Sequence, residues 1–314
     1  MAVNDQTHMA PLAAFHGAKP PAPAWFTAAL AAAPERRFVE VDGAKLETLA
    51  WGPRGAPGLI LLHGGMAHAD WWSFIAPFFA DQYRVVAPTF SGMGRSDWRE
   101  RYDFPTFARE AVETGRLAGA FEAGPAIVVG HSFGSRVATV VGHEHSADIA
   151  AALLVDPPFF APQNRKSPTP PHTARGHRPH ASLEALIARF RLSPAQVCEN
   201  LYILDHIARH SGREIVDEAG RPGWTLGFDP HFWGKLSRTE IAPMLKAARV
   251  PYGLARGDRS QLFLSSDADY LMSLIPPGSP HIVLPEAEHH VMIDQPLAFV
   301  AMVKDLLASW PPAR

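Results

Sequence analysis

Short runs of apolar residues recur along most of this chain, and stretches with helical periodicity lie between them. A continuous apolar run of about four to eight residues is typical of a strand buried on both faces of a sheet. Such strands are predicted at 58–63, 83–87, 126–129, 151–155, 252–255 and 281–284. Helices are predicted at 71–80, 106–120, directly after Ser132, 265–274 and 296–310. Alternating strands and helices imply right-handed crossovers and a mainly parallel α/β sheet flanked by helices.

Two regions depart from this alternation. Residues 37–51 alternate apolar and polar positions around Asp42-Gly43, which predicts a hairpin. Residues 157–248 contain no strand signal, and two helices are predicted there, at 182–191 and 194–211. The expected organisation is an Ala- and Pro-rich arm at 1–35, a core at 36–156 and 250–314, and a mostly helical insertion at 157–249.

The composition excludes several classes of protein. The chain has 314 residues and a formal net charge of −2, so no long-range field draws it to nucleic acid or to an anionic membrane. Cys198 is the single cysteine, which excludes an internal disulfide. No apolar run approaches the roughly 18 residues of a membrane span, and the N-terminal residues lack the pattern of a signal peptide. We expect a cytoplasmic protein without nucleic-acid or membrane partners.

A serine lies between two glycines where the predicted strand 126–129 passes into a helix. The turn is Gly130-His131-Ser132-Phe133-Gly134. Gly-x-Ser-x-Gly at a strand-to-helix turn predicts a nucleophile elbow, because only glycines leave room for so tight a turn. The turn places the hydroxyl at the carboxyl edge of the sheet and at the positive end of a helix dipole. Ser132 is the predicted nucleophile, and the alternative is a Gly-Ser turn without chemistry.

A second glycine-rich turn, His63-Gly64-Gly65-Met66, comes at the end of an earlier buried strand. Acyl transfer needs backbone N–H groups aimed at the oxyanion of the tetrahedral intermediate, and such a turn supplies one. Gly65 is the expected donor, with Met66 next, and the amide of Phe133 is the expected second donor. His63 is expected to hydrogen-bond the loop rather than to act in catalysis.

Two adjacent histidines, His289 and His290, lie in a predicted loop after the strand at 281–284. A serine hydroxyl is a poor nucleophile until a base takes its proton, and histidine titrates in the range that this task needs. Either imidazole is therefore a candidate for the base that activates Ser132.

With these motifs the sequence resembles the α/β-hydrolase superfamily, in particular its bacterial esterase-like branch. The resemblance covers roughly residues 36–314 and rests on His-Gly-Gly, the stretch at 84–97, Gly-His-Ser-Phe-Gly and the late histidine. It implies an α/β-hydrolase fold, a cap formed by the insertion over the sheet edge, and the chain order serine, acid, histidine. Relatives usually carry glycine before the catalytic histidine, whereas Glu288 stands here. That register selects His289 and leaves His290 as the alternative.

The resemblance places the catalytic acid after the strand at 252–255. Asp258 is the carboxylate there, although relatives often carry the acid two residues further on, where this chain has Ser260. Asp156 ends the strand at 151–155, and some branches of the superfamily place their acid at that point. Asp258 is therefore the predicted acid and Asp156 the alternative.

The resemblance implies a serine hydrolase that cleaves carboxylic esters through an acyl-serine, with Ser132, Asp258 and His289 as its triad. Two other reactions use the same fold and triad, namely C–C bond hydrolysis of ring-fission products and cofactor-independent peroxidation. A non-catalytic ligand-binding protein is a third alternative, against which the intact serine and histidine argue. Epoxide and haloalkane hydrolysis are disfavoured, because relatives with those activities carry aspartate in place of Ser132. No cofactor and no metal are expected.

The first part of the insertion is basic. Residues 159–192 contain one acidic side chain, Glu184, and six basic ones: Arg165, Lys166, Arg175, Arg178, Arg189 and Arg191. Two interpretations stay open, a solvated basic face or a surface that attracts an anionic ester such as a half-ester of a dicarboxylic acid. Three histidines in the same stretch lie too loosely among prolines to predict a metal site: His172, His177 and His180.

Overall fold

The computed structural model describes residues 10–164, 179–216 and 220–310, and an eight-stranded sheet crosses it. The described strands, in chain order, are β1 (Glu35–Val41), β2 (Ala44–Trp51), β3 (Gly58–Leu62), β4 (Arg84–Pro88), β5 (Ala126–His131), β6 (Ile149–Val155), β7 (Gly212–Val216), β8 (Pro222–Leu226), β9 (Tyr252–Gly257) and β10 (His281–Leu284). The large sheet has the order β1-β2-β4-β3-β5-β6-β9-β10. β2 runs antiparallel to β1 and β4, and all other neighbours in this sheet are parallel. The predicted mainly parallel sheet is confirmed.

Alternating side chains on the central strands separate two apolar layers, one on each face of the sheet. In β3, Leu59 and Leu61 pack into one layer, whereas Ile60 and Leu62 pack into the other. All four side chains are buried. Because successive residues of a strand point to opposite faces, a strand covered on both faces needs apolar residues at every position. This requirement explains the continuous apolar runs in the sequence.

The described α-helices lie on both faces of the large sheet and in the insertion. They are α1 (Ala24–Ala31), α2 (Phe104–Ala118), α3 (Phe133–Glu144), α4 (Leu183–Ala188), α5 (Leu201–Ser211), α6 (Phe232–Lys235), α7 (Ala242–Lys246), α8 (Ser265–Met272), α9 (Val291–Asp294) and α10 (Pro296–Ser309). α2 and α3 pack on the face that carries Ile60, and α10 packs on the face that carries Leu61. Asp103 caps the start of α2, because its side chain accepts a hydrogen bond from the Thr106 amide (2.7 Å), and Gly119, with a φ of +92°, caps its end.

The helix predicted at 71–80 is instead two short 3₁₀ turns, Ala69–Trp72 and Ala76–Phe79. Pro77 lies inside the predicted span. Proline cannot donate a backbone hydrogen bond, and its ring clashes with the preceding turn of an α-helix. The apolar periodicity of this stretch places Trp72 and Phe79 in the core without a continuous helix.

The insertion contains two strands that its sequence did not predict. β7 and β8 pair antiparallel in a small separate sheet, and each is only five residues long. Alternation over so short a span is a weak signal. The helix predicted at 194–211 begins only at Leu201, where α5 starts. Insertion residues contact the loops beyond the carboxyl ends of β3 and β4, through Ser211 with His68 and Phe228 with Met93.

Residues 10–34 pack against both the core and the insertion. Leu12 and Phe26 are buried in the same apolar layer as Leu61, and the ring of Phe26 lies 4.9 Å from that of Tyr202 in α5. The apolar side chains of this segment therefore help to hold α5 in place.

Six residues named in the sequence analysis lie outside the described residues: Arg165, Lys166, His172, Arg175, His177 and Arg178. Within the described ranges, none of the helices combines the length and the apolar character that crossing a bilayer requires.

Candidate active site

Ser132 occupies a strained turn between β5 and α3. Its φ is +51° and its ψ is −118°, a backbone conformation that residues with a side chain rarely adopt. A Cβ atom at Gly130 would collide with the Gly134 carbonyl, and one at Gly134 would collide with the Leu62 carbonyl. Both glycines are therefore required by the close approach of backbone at the turn. The geometry agrees with the predicted nucleophile elbow.

His289 lies beside Ser132. Its Nε2 atom is 2.9 Å from Ser132 Oγ, and its Nδ1 atom is 2.6 Å from Asp156 Oδ1. Because a carboxylate can only accept, we assign the ring proton to Nδ1, which leaves Nε2 to accept the hydrogen bond from the serine hydroxyl. This tautomer is the one that a general base for Ser132 requires.

The adjacent His290 has a different environment. Its ring is buried and packs 5.3 Å from the ring of Trp71 and 4.9 Å from that of His289. Neither ring nitrogen makes a hydrogen bond of normal geometry with the described residues. Burial, with a smaller contribution from His289 and His131, holds the pKa of His290 well below its usual value. Of the two candidates, the structure brings only His289 to the serine.

The carboxylate that meets His289 belongs to Asp156, at the end of β6. Asp156 is fully buried, and its Oδ1 atom also accepts a hydrogen bond from the Ser260 hydroxyl (2.7 Å). Its Oδ2 atom accepts from the Gly257 amide (3.2 Å). These contacts fix the carboxylate on both sides, so that one lone pair points at the imidazole Nδ1–H.

The sequence-based choice of Asp258 as the acid does not agree with this geometry. Asp258 is exposed, and its Oδ1 atom accepts from the Ala287 amide at 3.2 Å rather than contacting His289. β6 and β9 are neighbouring parallel strands, so their ends offer two carboxylates at the same sheet edge. Only the Asp156 side chain turns inward to His289. Ser260, at the position where relatives often carry the acid, donates its hydrogen bond to Asp156.

Two backbone segments with free amides meet at the elbow. A Cβ atom on Gly65 would lie 3.6 Å from Phe133 Cβ, so the glycine turn passes close to the start of α3. The amides of Gly65, Met66 and Phe133 donate no hydrogen bond to any described residue. The two segments thus hold the N–H groups that the sequence analysis proposed for an oxyanion hole, and the choice between Gly65 and Met66 stays a prediction.

His63 holds the glycine turn in place, as expected. Its Nε2 atom accepts a hydrogen bond from the Phe90 amide (3.1 Å), so Nδ1 carries the proton and donates to the Gly64 carbonyl (2.7 Å). Burial lowers the pKa of His63 to about 3, and the ring therefore stays neutral near pH 7. His63 thereby joins the turn after β3 to the loop after β4.

His131, the residue before the serine, was not identified from the sequence. Its Nε2–H donates to the carbonyl oxygen of His289 (3.0 Å), and the two rings lie 4.9 Å apart. Burial and the neighbouring His289 hold the pKa of His131 well below its usual value. His131 is the last residue of β5, and its ring faces the loop that contains His289. The alternation of side chains along β5 is the feature of the sequence that could have indicated this position.

Left-handed backbone is concentrated around these residues. Among the non-glycine residues with positive φ are Ser132, Met66 (+59°) and Asp156 (+43°). Each such conformation costs about 1–3 kcal/mol and persists only where the surrounding structure holds it. The strain at three functional candidates indicates a preorganised site.

A second set of serine, histidine and aspartate lies under the insertion, and we call it the Ser211 set. His68 Nε2 is 2.9 Å from Ser211 Oγ, and His68 Nδ1 is 3.7 Å from Asp70 Oδ2. The Ser211 hydroxyl donates to the Ile207 carbonyl (2.8 Å), and Arg36 binds both carboxylate oxygens of Asp70 (2.7 and 3.2 Å). The Ser211 hydroxyl therefore donates to a backbone carbonyl instead of to His68, and the Asp70 carboxylate is paired with a guanidinium.

Among the residues that the structure describes, two groups of side chains each bring three possible metal-ligand atoms within 4.8 Å of one another: His131, His289 and His290, and Asp70, His206 and His210. In the first group, both ring nitrogens of His289 are engaged by Ser132 and Asp156. In the second, the carboxylate of Asp70 is bound by a guanidinium. A metal ion would have to displace these contacts, so neither donor set fits a resident metal.

Comparisons with known proteins agree with this arrangement. The sequence profile of the Alpha/beta hydrolase family matches residues 59–302. The chain is 33% identical over 234 residues to a non-heme chloroperoxidase of Streptomyces lividans, which covers 72% of this chain and 83% of that protein. It is 30% identical over 112 residues to lipase LipV of Mycobacterium tuberculosis, which covers 36% of this chain and 41% of that protein. Over 138 residues it is 31% identical to epoxide hydrolase A of the same organism, covering 44% of this chain and 42% of that protein. The chain thus spans about two fifths of the length of the last two relatives.

Two solved structures share the fold over most of the chain. A thioesterase domain from the curacin biosynthetic pathway aligns with a TM-score of 0.69 at 23% identity, covering 87% of this chain and 99% of that one. An esterase from Mycobacterium tuberculosis aligns with a TM-score of 0.65 at 22% identity, covering 98% and 99%. With the family profile spanning more than half of its length, the chain belongs to the alpha/beta hydrolase family.

Proposed function

We propose that this hydrolase cleaves carboxylic esters through an acyl-serine intermediate. The observation that carries the proposal is the continuous hydrogen-bonded series from Ser132 through His289 to the buried Asp156. Such a series supplies a nucleophile, a base and an orienting carboxylate in the order that acyl transfer needs.

In the first half of the reaction, Ser132 Oγ attacks the ester carbonyl carbon while His289 Nε2 takes the hydroxyl proton. The imidazolium that forms is stabilised by Asp156, which keeps its negative charge. The carbonyl oxygen becomes an oxyanion and accepts hydrogen bonds from the amides of Gly65 and Phe133. When the tetrahedral intermediate collapses, His289 gives its proton to the departing alcohol, and the acyl group stays on Ser132.

In the second half, water replaces the alcohol. His289 Nε2 takes a proton from the water as its oxygen attacks the acyl carbon, and the same two amides hold the new oxyanion. Collapse of this intermediate returns the proton to Ser132 and releases the carboxylic acid. The N-terminus of α3 begins next to the serine, and its partial positive charge favours both anionic intermediates.

A series of p-nitrophenyl esters of increasing acyl length tests the proposal. The wild-type protein should hydrolyse at least one of them well above the rate of the Ser132→Ala variant measured in parallel. A fast release of p-nitrophenol equal to the enzyme concentration would report the acyl-serine. Equal rates for the two proteins on every ester would contradict the proposal.

Peroxidation is a second candidate, and the similarity to the Streptomyces lividans chloroperoxidase is the observation that favours it. Here hydrogen peroxide, instead of water, attacks the acyl carbon, and the products are a peracid and free Ser132. With an ester and peroxide present together, oxidation of bromide by the released peracid measures this branch. Peracid as the main product would favour peroxidation, whereas free acid as the main product favours ester hydrolysis.

We also propose that the protein acts in the cytoplasm. The absence of a spanning helix among the described residues and the single cysteine are compatible with this location. A fluorescent fusion, viewed in cells with intact membranes, would test it.

A further inference from the structure

A cavity of about 550 Å³ opens from the glycine turn into the insertion. It begins at Gly65 and Met66, whose amides are candidates for the oxyanion hole, and continues to the segment that follows α4. Its remaining walls come from the 3₁₀ turn at Trp71, the end of α5 and the end of β8. A group attached to the ester carbonyl therefore has this cavity directly beside it.

The walls of the cavity combine apolar side chains with two guanidinium groups. Trp71, Phe190 and Leu192 are buried and line it, whereas Arg189 and Arg191 alternate with them along the chain and are exposed. A chain of methylene groups can pack against the apolar walls, while a charged end reaches the arginines. The polar side chains His68 and Ser211 also line the cavity, but they are hydrogen-bonded to each other.

The charged side chains among the described residues that line this cavity are arginines. None of the described residues that line it carries a carboxylate. Arg189 makes no ion pair with any described residue, in contrast to Arg209, which binds both oxygens of Asp205. The positive charge of Arg189 also contributes to lowering the pKa of His180, although burial of that ring is the larger cause. The guanidinium is thus available to an anion that enters the cavity.

Two other cavities of the described surface differ in this respect. The cavity beside Arg136 also contains Glu240 and Asp267. The depression beside Arg259 contains four carboxylates: Glu199, Glu286, Glu288 and Asp294. The cavity beside Arg249 also has no carboxylate among its described lining residues, but it lies at the opposite end of the sheet from Ser132. Next to the glycine turn, a positive lining without a carboxylate among the described residues therefore occurs beside the candidate active site.

We propose that this cavity binds an acyl chain that ends in a carboxylate, with Arg189 and Arg191 as the groups that bind the anion. The substrate class is a half-ester of a dicarboxylic acid. The inference rests on the proposed ester hydrolysis and adds to it the identity of the acyl group. Charge-assisted hydrogen bonds from a guanidinium to a carboxylate are stronger than neutral ones, and those at an exposed site weaken with added salt.

The first test compares two esters of equal length, mono-p-nitrophenyl glutarate and p-nitrophenyl pentanoate, after subtraction of their spontaneous hydrolysis. We expect the wild-type kcat/KM to favour the anionic ester by roughly tenfold and the preference to shrink with salt. Arg189→Gln should lower the anionic-to-neutral ratio about five- to tenfold, mainly through KM, and Arg189→Lys should recover part of it.

Arg249→Gln is the matched control. It removes the same charge just before β9 begins, at the opposite end of the sheet from the site, and should leave the ratio unchanged. A ratio within twofold of wild type in the Arg189→Gln/Arg191→Gln double variant would overturn the inference. Failure of wild type to hydrolyse either ester of the pair would instead overturn the proposed function.

A binding measurement tests the preference of the cavity for an anionic acyl chain without relying on catalysis. The Ser132→Ala protein should bind monomethyl glutarate more tightly than methyl pentanoate in calorimetry, and the added Arg189→Gln change should abolish the difference. Equal affinities would contradict the inference.

A third pair of esters, 4-acetoxybutanoate and butyl acetate, differs in charge on the alcohol side instead of the acyl side. A preference for the anionic ester that is confined to this pair would overturn the assignment of the cavity to the acyl chain.

Discussion

The protein contains two sets of serine, histidine and aspartate that differ in how their protons are held. In the set around Ser132, the hydroxyl faces His289 at 2.9 Å, and the imidazole faces its carboxylate at 2.6 Å. In the Ser211 set, the serine–histidine distance is also 2.9 Å, but the histidine–aspartate distance is 3.7 Å. Residue type alone therefore does not distinguish a candidate catalytic series from a structural one.

The backbone around the two serines explains the difference. Ser132 stands at a strained turn, ahead of the first turn of α3, where its side chain has no helical carbonyl to bond. Ser211 is the last residue of α5, and its hydroxyl donates to the carbonyl four residues earlier. The hydroxyl of a serine inside a helix donates its hydrogen bond to a helical carbonyl, whereas the hydroxyl of Ser132 at the elbow donates to an imidazole.

The two carboxylates differ as well. Asp156 accepts hydrogen bonds from a hydroxyl and an amide, both neutral, so its charge remains available to an imidazolium. Asp70 is bound by the guanidinium of Arg36, which also pairs with Glu47. Contacts with His68 and Arg36 hold the pKa of Asp70 below its usual value, against the opposing effect of burial. The Ser211 set is thus part of a neutralised network that joins the insertion to the core.

The largest expected effect is on Ser132. A fluorophosphonate probe should label the wild-type protein at this residue, and Ser132→Ala should lose labelling together with about 10⁴-fold or more in kcat. Ser211 is still present in that variant and serves as the internal control, because its proton is engaged. Labelling of Ser211 in the Ser132→Ala protein would erase the distinction between the two sets.

The next largest effect separates two aspartates. Asp156→Asn should lower kcat by up to about 10⁴-fold, because the amide can favour the wrong tautomer of His289 and cannot stabilise its imidazolium. Asp258→Asn should cost less than about tenfold, since among the described residues the Asp258 carboxylate accepts a hydrogen bond from the Ala287 amide and none from His289. Steady-state rates of the folded variants on one ester decide the question. A greater loss in Asp258→Asn would return the catalytic acid to that residue.

The third prediction concerns stability rather than rate. Asp70→Asn removes a buried charge that pairs with Arg36, and we expect the free energy of unfolding to fall by about 2–3 kcal/mol. The kcat of the folded protein should stay within about threefold of wild type. Urea unfolding and ester turnover measured on the same samples provide the two readouts. A loss of kcat comparable to that of Asp156→Asn would make Asp70 a second catalytic acid.

The smallest effect is a change in acid sensitivity at the same network. Burial is the main reason why the pKa of His206 falls to about 3, and its Nε2 atom lies 2.7 Å from Ser73 Oγ. The unfolded chain binds this proton near pH 6.5 and the folded chain does not. The stability that the neutral ring contributes is therefore complete above pH 6.5 and is lost as the pH falls from 6.5 toward 3.

His206→Gln should accordingly flatten the pH dependence of unfolding. Between about pH 6 and 4, the free energy of unfolding should fall less steeply than in wild type, by about 1.4 kcal/mol for each pH unit. The exposed His16, replaced in the same way, serves as the control and should leave the slope unchanged. An identical slope in His206→Gln and wild type would show that this ring binds its proton equally in the folded and the unfolded protein, which contradicts the prediction.

The elements that the sequence predicted are those that depend on neighbouring residues. Buried strands such as β3 and β5 follow from continuous apolar runs, and the turn at Ser132 follows from its two glycines. The predicted helix at 71–80 is wrong because one proline outweighed the apolar periodicity, and β7 and β8 were too short for alternation to be visible. The choice of His289 over His290 followed from a register that the structure supports.

By itself, the sequence determined the parallel sheet and the tight turn at Ser132, because short-range packing and turn geometry specify both. The choice of His289 as the candidate base came from the resemblance to a family. Only the tertiary structure showed which of the two candidates, Asp156 or Asp258, contacts His289. His289 lies 133 residues after Asp156 in the chain, and two neighbouring strand ends both carry a carboxylate at the same sheet edge. Which one reaches the imidazole depends on the direction of a side chain at the end of a strand, and contacts with distant residues, such as that of Ser260 with Asp156, set that direction. The Ser211 set could not be predicted from the sequence for the same reason: Ser211 and His68 lie 143 residues apart and come together through the packing of the insertion on the core.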